Sequence, residues 1–312
     1  MTQPAPRMIK APSANNTSRG IVWAFMPPAS VIAHSAGESN NHVPTGRSAR
    51  IKYKKGCARA GNRSIQAFFL ISVWVMSYKY PRLYVSDPIL DGQEINLLGS
   101  QVHYLKSVLR LEADAVVRIF NGQDGEWLAK FNPINKKNAT LTPFEQTHQQ
   151  TNKGLNKTHL IFAPIKKQRL DFMIEKAIEL GATDLHPVVT QNTEVRKINA
   201  DRIQAQIIEA TEQCERLDLA RLHPLNTLDK FCASWEESTP LFAAIERGDA
   251  PLLSSIDIKN DTAILIGPEG GFTQQETEML QNFKAIQAVS LGDNILRAET
   301  AALYGLSHLI KH

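Results

Sequence analysis

The residues best equipped for chemistry lie in two short segments late in the chain. In residues 263–276 (AILIGPEGGFTQQE) an apolar run empties into a glycine-rich turn and then a polar stretch. Gly267, Gly270 and Gly271 let the backbone adopt positive φ and approach a ligand closely. Ligands of open α/β sheets gather beyond the carboxyl ends of strands, so this turn is a candidate cradle for a small molecule. Thr273 and Glu276 have the Thr-x-x-Glu spacing of a capping box, which would start a helix directly after the turn. A tight strand-to-helix connection without a ligand accounts for the same residues, and the spacing is not the GxGxxG of dinucleotide sites.

Residues 289–302 (VSLGDNILRAETAA) repeat the arrangement. A strand ends at Leu291-Gly292, a polar turn follows, and a helix runs toward the C-terminal end. Arg297 and Glu299 stand near its start among apolar neighbours. A guanidinium stays charged and can stabilise a developing oxyanion, and a carboxylate can accept a proton. Taken alone, the pair reads equally as a solvated ion pair at a helix end.

The two turns can cooperate only if the strands ahead of them share a sheet. Residues 160–165 (LIFAPI), 188–189, 241–245 and 263–266 (AILI) read as short buried strands. Between the first two, Leu170, Ile174, Ala177 and Ile178 form one helical face that stops at Gly181, a natural C-cap. Strands alternating with helices imply a mostly parallel sheet covered on both faces, hence an α/β fold. Before it, between positions 84 and 143, β-type runs (RLYV, AVVRIF, WLAKF, ATLTP) are separated by Asn121-Gly122 and Asp124-Gly125, which predicts a small β domain. Val102, Leu105, Val108 and Leu109 predict a helix over 101–111, on which His103 reads as a packed structural histidine. Residues 147–157 (THQQTNKGLNK) have the composition of a linker.

The chain of 312 residues carries a net charge of +4, but residues 1–75 hold ten Lys or Arg against Glu38 alone. That is +9 for the leader and −5 for the remainder. The charge of the globular part thus gives no global support for a nucleic-acid partner, and any such contact would have to use local basic patches. The leader, rich in Pro, Ser, Asn and Gly, predicts disorder. Its apolar 65–75 run is too short to cross a bilayer, which takes about 20 residues. The sequence changes character at Met76, so residues 1–75 are expected to be an upstream extension, either a targeting leader or the product of a mis-set start. Cys57, Cys214 and Cys232 form no CxxC pair, which fits a reducing compartment and suggests neither disulfides nor a zinc site. HExxH, GxxxxGK[ST] and GxSxG are all missing, so metal-free chemistry is the expectation.

Taken together, IGPEGGFTQQE and SLGDNILRAETA resemble the paired signatures of the ribosomal RNA uridine-N3 methyltransferases of the SPOUT class. Residues 166–181 (KKQRLDFMIEKAIELG), 209–216 (EATEQCER) and 103–111 (HYLKSVLRL) are similar to further blocks of that family. The resemblance covers positions 76–312. Asp293-Asn294 depart from it, standing where many relatives carry a small residue followed by Arg.

The resemblance implies a SPOUT trefoil-knot methyltransferase domain over 158–312, a PUA-like β-barrel over 76–146 and a linker over 147–157. It implies S-adenosyl-L-methionine as cofactor, cradled by Ile266, Gly267, Pro268, Glu269, Gly270 and Gly271 and by Leu291, Gly292, Ile295, Leu296 and Arg297. It also implies a homodimer acting in the cytoplasm on 16S rRNA of the 30S subunit, with no membrane and no metal. Methylating uracil N3 requires loss of its proton and stabilisation of charge on O2 or O4. Arg297 is the first candidate stabiliser and Arg216 the second, the latter equally readable as a helix-terminal cation. Glu299 and Glu269 are candidate bases. Arg82, Lys106, Arg110, Lys166, Lys167 and Arg169 are candidate phosphate contacts. A SPOUT enzyme acting on transfer RNA or large-subunit RNA, and a non-catalytic knotted RNA-binding protein, remain as rivals. A nicotinamide enzyme lacks the glycine spacing.

Overall fold

The computed structural model describes residues 79–150, 156–245, 250–258 and 260–310. The leader at 1–75 and the middle of the expected linker, 151–155, lie outside the described residues. No helix among the described residues is long and apolar enough to cross a membrane.

Alternation of apolar and polar residues builds the first sheet from β1 (Arg82–Tyr84), β2 (Ile95–Leu98), β3 (Ala115–Phe120), β4 (Glu126–Pro133) and β5 (Asn138–His148), in the order β1-β3-β4-β5-β2. Only β1–β3 is parallel among these pairings. Val117, Ile119, Ala129, Phe131 and Leu141 point inward and are fully buried. Burying each of the larger side chains contributes about 1.5–3 kcal/mol. Two features differ from the pattern read above. β2 was not expected, and the predicted helix over 101–111 is short: α1 (Ser100–His103) passes into a π-helical turn at Tyr104–Val108. Leu109 N–H reaches back to the Tyr104 carbonyl at 2.9 Å, and Arg110 adopts φ 55, which ends the helix. The wider turn keeps Val102 and Leu105 inside but leaves Val108 59% exposed. His103, expected to be packed, is exposed.

The second sheet contains β6 (Thr158–Phe162), β7 (Asp184–Val189), β8 (Arg221–Leu222), β9 (Asn226–Thr227), β10 (Leu241–Ala244), β11 (Thr262–Ile266) and β12 (Ile286–Val289). Its order is β12-β10-β11-β6-β7-β8, with β9 also on β7, and every pairing is parallel. One face, with Leu160, Phe162, Ile264 and Ile266, packs against α2 (Lys167–Leu180), α3 (Ala200–Gln213) and α6 (Ala298–Leu309). The other, with Ile161, Val188 and Leu265, packs against α4 (Leu228–Ser234) and α5 (Gln274–Asn282). Helices on both faces explain why these strands are apolar throughout rather than alternating. α2 ends at Gly181, as its sequence predicts.

Arg82 corrects one expectation. Proposed as an RNA contact, it is instead 6% exposed and joins the two sheets' domains. Its Nε donates to Glu126 at 2.7 Å, and its terminal nitrogens donate to the carbonyls of Thr211 at 2.8 Å and Arg216 at 2.6 Å, at the end of α3. Its guanidinium also stacks 3.7 Å above the Phe120 ring centroid. Alongside, Tyr84 N–H donates to Glu212 and Arg118 to Glu215. A buried guanidinium needs such complete pairing, because desolvating it alone would cost several kcal/mol.

Candidate functional site

β10 lies between β11 and β12, and the register makes Ala244 the neighbour of both Ile266 and Val289. The turns leaving β11 and β12 therefore start level, two strand spacings or about 10 Å apart, on either side of the end of β10. Both segments singled out in the sequence thus share one edge of the sheet.

The first turn closes with Gly271 N–H donating to the Pro268 carbonyl at 2.9 Å. Gly271 has φ 66 and Gly292, in the second turn, φ 121, a region where a side chain would be strained. A Cβ on either glycine would meet nothing within 4 Å, so open space adjoins both turns. Glu276 then locks the helix start: its Oε2 accepts from Thr273 N–H at 2.9 Å, and Thr273 Oγ1 accepts from Glu276 N–H at 3.3 Å, the reciprocal box expected.

A third segment clamps the first turn, and sequence reasoning missed it. Asn192 Nδ2 donates to the carbonyls of Gly270 at 3.1 Å and Gly271 at 3.0 Å, while Gln191 N–H donates to Glu276 Oε1 at 2.8 Å. These residues follow β7, two strands from β11. The available signal was an amide-rich loop (QNT) directly after a buried strand, which no motif distinguishes from an ordinary turn.

In the second turn Gly292 N–H donates to Ser290 Oγ at 3.2 Å. Leu291 and Leu296 are half-buried against the α2–α3–α6 core, while Ile295 is 74% exposed. β12 stops at Val289, two residues before the expected strand end, which lengthens the turn. Arg297 is exposed, extended at ψ 153 immediately before α6, and makes no side-chain hydrogen bond or ion pair among the described residues. Glu299, in the first turn of α6, is only 8% exposed, where the positive end of the helix dipole favours a carboxylate.

Arg169, in the first turn of α2, connects these pieces. Its guanidinium lies 2.5 Å from Glu269 Oε1 and 3.7 Å from Glu299 Oε2, and that buried Glu299 oxygen has no hydrogen-bond partner. The start of α2, the turn after β11 and the start of α6 converge on one guanidinium. Expected as a phosphate contact, Arg169 is thus committed to two carboxylates.

Arg216, the alternative stabiliser, is elsewhere. It donates to the carbonyls of Ile178 at 3.0 Å and Ala182 at 2.8 Å and pairs with Asp218 at 2.9 Å, at the C-terminal end of α2. With a rise of 1.5 Å per residue, that end is on the order of 15 Å from Arg169. Unsatisfied carbonyls at a helix end attract a cation, and Arg216 serves them.

The remaining basic candidates are at the surface. Lys166 lies 3.5 Å from Glu194, and Lys167 and Arg110 are exposed. Lys106 donates to the Asn135 carbonyl at 3.1 Å, which brings the π turn against the β4–β5 hairpin, where Lys136 and Lys137 are exposed. Two consecutive lysines at a hairpin tip were the overlooked signal there.

Comparison with known proteins agrees with this architecture. The RNA methyltransferase domain family matches residues 152–310, and the RNA methyltransferase PUA domain family matches residues 97–144. Ribosomal RNA small subunit methyltransferase E of Rickettsia conorii is 36% identical over 235 residues, covering 74% of this chain and 95% of that protein. A putative methyltransferase from Legionella pneumophila, solved with the bound cofactor SAM, superposes with a TM-score of 0.67 at 28% identity, covering 74% of this chain and 96% of its own. A ribosomal RNA small subunit methyltransferase E from Neisseria gonorrhoeae bound to S-adenosyl methionine gives 0.64 at 29% identity, with 73% and 95% covered. An RNA methyltransferase domain behind a PUA-like domain, with 36% identity to a relative of which nearly the whole length is covered, is decisive: the chain belongs to the ribosomal RNA small subunit methyltransferase E family.

Proposed function

We propose that this protein methylates N3 of a uridine in 16S rRNA of the 30S subunit, using S-adenosyl-L-methionine, on a knotted SPOUT path and as a cytoplasmic homodimer. The observation that carries the reading is the pair of open glycine turns flanking the end of β10, tied together through Arg169, Glu269 and Glu299. The residues fit the cofactor: positions 269, 270 and 292–295 are exposed, the open space beside Gly271 and Gly292 gives room, and Ile295 offers an apolar surface.

When bound, the cofactor supplies an electrophilic methyl group on a sulfonium. The chain must supply the rest. Glu299 is the favoured acceptor of the N3 proton, because its Oε2 is buried without a hydrogen bond whereas Glu269 is held by Arg169 at 2.5 Å. Arg297, exposed, without a side-chain partner among the described residues and extended beside the same helix start, neutralises the charge that grows on the uracil oxygens. RNA is gripped by Lys106, Arg110, Lys136 and Lys137 of the β domain and by Lys166 and Lys167, which position phosphates without reading bases. Phe172 and Tyr304, 46% and 37% exposed on the packed pair α2 and α6, offer an apolar face to a second copy.

Purified protein incubated with labelled cofactor and either 30S subunits or transfer RNA tests the reading. Label on 16S rRNA supports it; label on transfer RNA replaces the substrate, and calorimetry showing no cofactor binding removes the enzyme reading.

A further inference from the structure

A cluster far from the cofactor turns is built from residues that the methyl transfer does not use. His159, on β6, and Asp184, at the start of β7, are direct neighbours in the parallel register, and His186 follows two residues later on the same face. His223, just past β8, is held there by its N–H donating to the Leu185 carbonyl at 2.9 Å. His159 and Asp184 are at the amino ends of their strands, and His186 and His223 follow one or two residues further along. The cofactor turns are at the carboxyl ends, beyond Ile266, whose neighbour on β6 is Phe162. His159 and Phe162 alone are on the order of 10 Å apart along the strand.

The side chains converge. His159 Nδ1 and His186 Nε2 are 3.1 Å apart, and Asp184 Oδ2 is 3.8 Å from His159 Nδ1. One donor atom from each of the three lies within 4.8 Å of the others. Two imidazole nitrogens bound to one tetrahedral ion at about 2.0–2.1 Å would stand about 3.4 Å apart, so little movement is needed. The surroundings orient the carboxylate as an outer ligand shell does: His223 Nε2 lies 2.7 Å from Asp184 Oδ1, and Thr183 Oγ1 donates to Oδ2 at 2.9 Å. His223 stacks on His186 with centroids 3.7 Å apart, and Trp235 closes edge-on over His159 at 5.2 Å. A cavity of about 400 Å³ opens onto the cluster, lined by Lys157, Asn226, Ser234 and Glu236 among others.

We infer that His159 Nδ1, His186 Nε2 and Asp184 Oδ2 bind one divalent transition-metal ion of the zinc class, with the remaining coordination position facing the cavity. Two imidazoles and a carboxylate are a borderline donor set that suits Zn²⁺ and discriminates against Mg²⁺, which takes oxygen ligands and keeps its water. The ion ties β6 to β7 and does not enter the methyl transfer.

The test is calorimetric titration of the full chain, freed of any histidine tag and stripped with chelator, using ZnCl₂ and then MgCl₂. The expected result is one Zn²⁺ per chain, no response to Mg²⁺, and a Zn²⁺-dependent rise in melting temperature. His186→Gln and Asp184→Asn should each lower Zn²⁺ affinity at least tenfold, and His223→Gln should keep the one-to-one stoichiometry with weaker binding. Circular dichroism of the metal-free variants separates loss of binding from loss of fold. Absence of saturable Zn²⁺ binding by the wild type, or unchanged binding in folded His186→Gln protein, would show the cluster to be a hydrogen-bonded histidine pair and overturn the inference.

Discussion

Arg169 reaches from the first turn of α2 to within 2.5 Å of Glu269, on the glycine turn that follows β11. It also faces Glu299 at 3.7 Å, so the turn after β11 and the start of α6 share one cation for their acidic residues. Arg169→Ala leaves two carboxylates without that counter-charge and removes one of the ties on the turn after β11, Asn192 remaining. Cofactor affinity should fall roughly tenfold, about 1.4 kcal/mol, with Arg169→Lys intermediate. Calorimetry with S-adenosyl-L-methionine measures it, and unchanged affinity in Arg169→Ala would show that the guanidinium organises nothing the cofactor needs.

Arg297→Ala should behave differently. An exposed guanidinium without a partner among the described residues contributes little to the fold, so stability should change by under about 0.5 kcal/mol. Methyl transfer should drop by about two to three orders of magnitude, as for loss of a stabiliser of developing charge, while cofactor affinity stays near that of the wild type. Near-normal single-turnover rates in this variant would remove Arg297 from the reaction.

Arg82→Ala addresses the seam between the domains. It strands the Glu126 carboxylate, 2% exposed, without its closest partner and leaves the Thr211 and Arg216 carbonyls short of a donor. Breaking a buried pair from one side costs about 3–5 kcal/mol, and urea unfolding should show a loss of that order. A loss within error of zero would mean the pairing adds nothing beyond its own desolvation cost.

Glu212 gives a pH signature at the same seam. Burial pushes its carboxyl above the ordinary 4.5, against the opposing pull of the Tyr84 N–H and the Arg82 charge. The folded chain thus binds that proton more tightly than the unfolded chain. The associated stability is present below about pH 4.5 and is lost as pH rises through the folded value. Glu212→Gln keeps an acceptor for Tyr84 but carries no charge to desolvate. Its stability relative to wild type should therefore rise between about pH 4 and about pH 8, a trend that urea midpoints at several pH values would reveal or refute.

Lys106 and Arg110 offer a separate readout on RNA. Replacing both with Ala should weaken binding to ribosomal RNA fragments and flatten its dependence on salt, by about one unit of slope for each phosphate no longer engaged. Cofactor affinity should be untouched. A parallel loss of cofactor binding would place these residues in the fold rather than in the RNA grip.

The parts of this architecture that sequence reading reached are those with short-range causes. The capping box at Thr273 and Glu276 spans three residues, the α2 stop at Gly181 is local, and apolar runs such as AILI announce buried strands in any context. What it missed has partners far away in the chain. Arg82 reads as a surface cation until Glu126, 44 positions on, and Thr211, 129 positions on, are folded against it. The same holds for Asn192, whose carbonyl partners lie 78 and 79 residues ahead, and for the histidine cluster, assembled from three strands. The π turn at Tyr104–Val108 escaped for another reason: its apolar spacing is close to that of an α-helix, and only the backbone bond from Leu109 to Tyr104 distinguishes the two.

The most direct measurement maps the modified base. Ribosomal RNA from cells with and without this gene should be compared by nuclease digestion and mass spectrometry, with the purified protein then added to subunits from the deficient cells. The expected result is one N3-methyluridine in 16S rRNA, missing without the gene and restored by the wild-type protein but not by the Arg297→Ala variant. Identical modification profiles in the two strains, or a methyl group restored on a different RNA, would contradict the account.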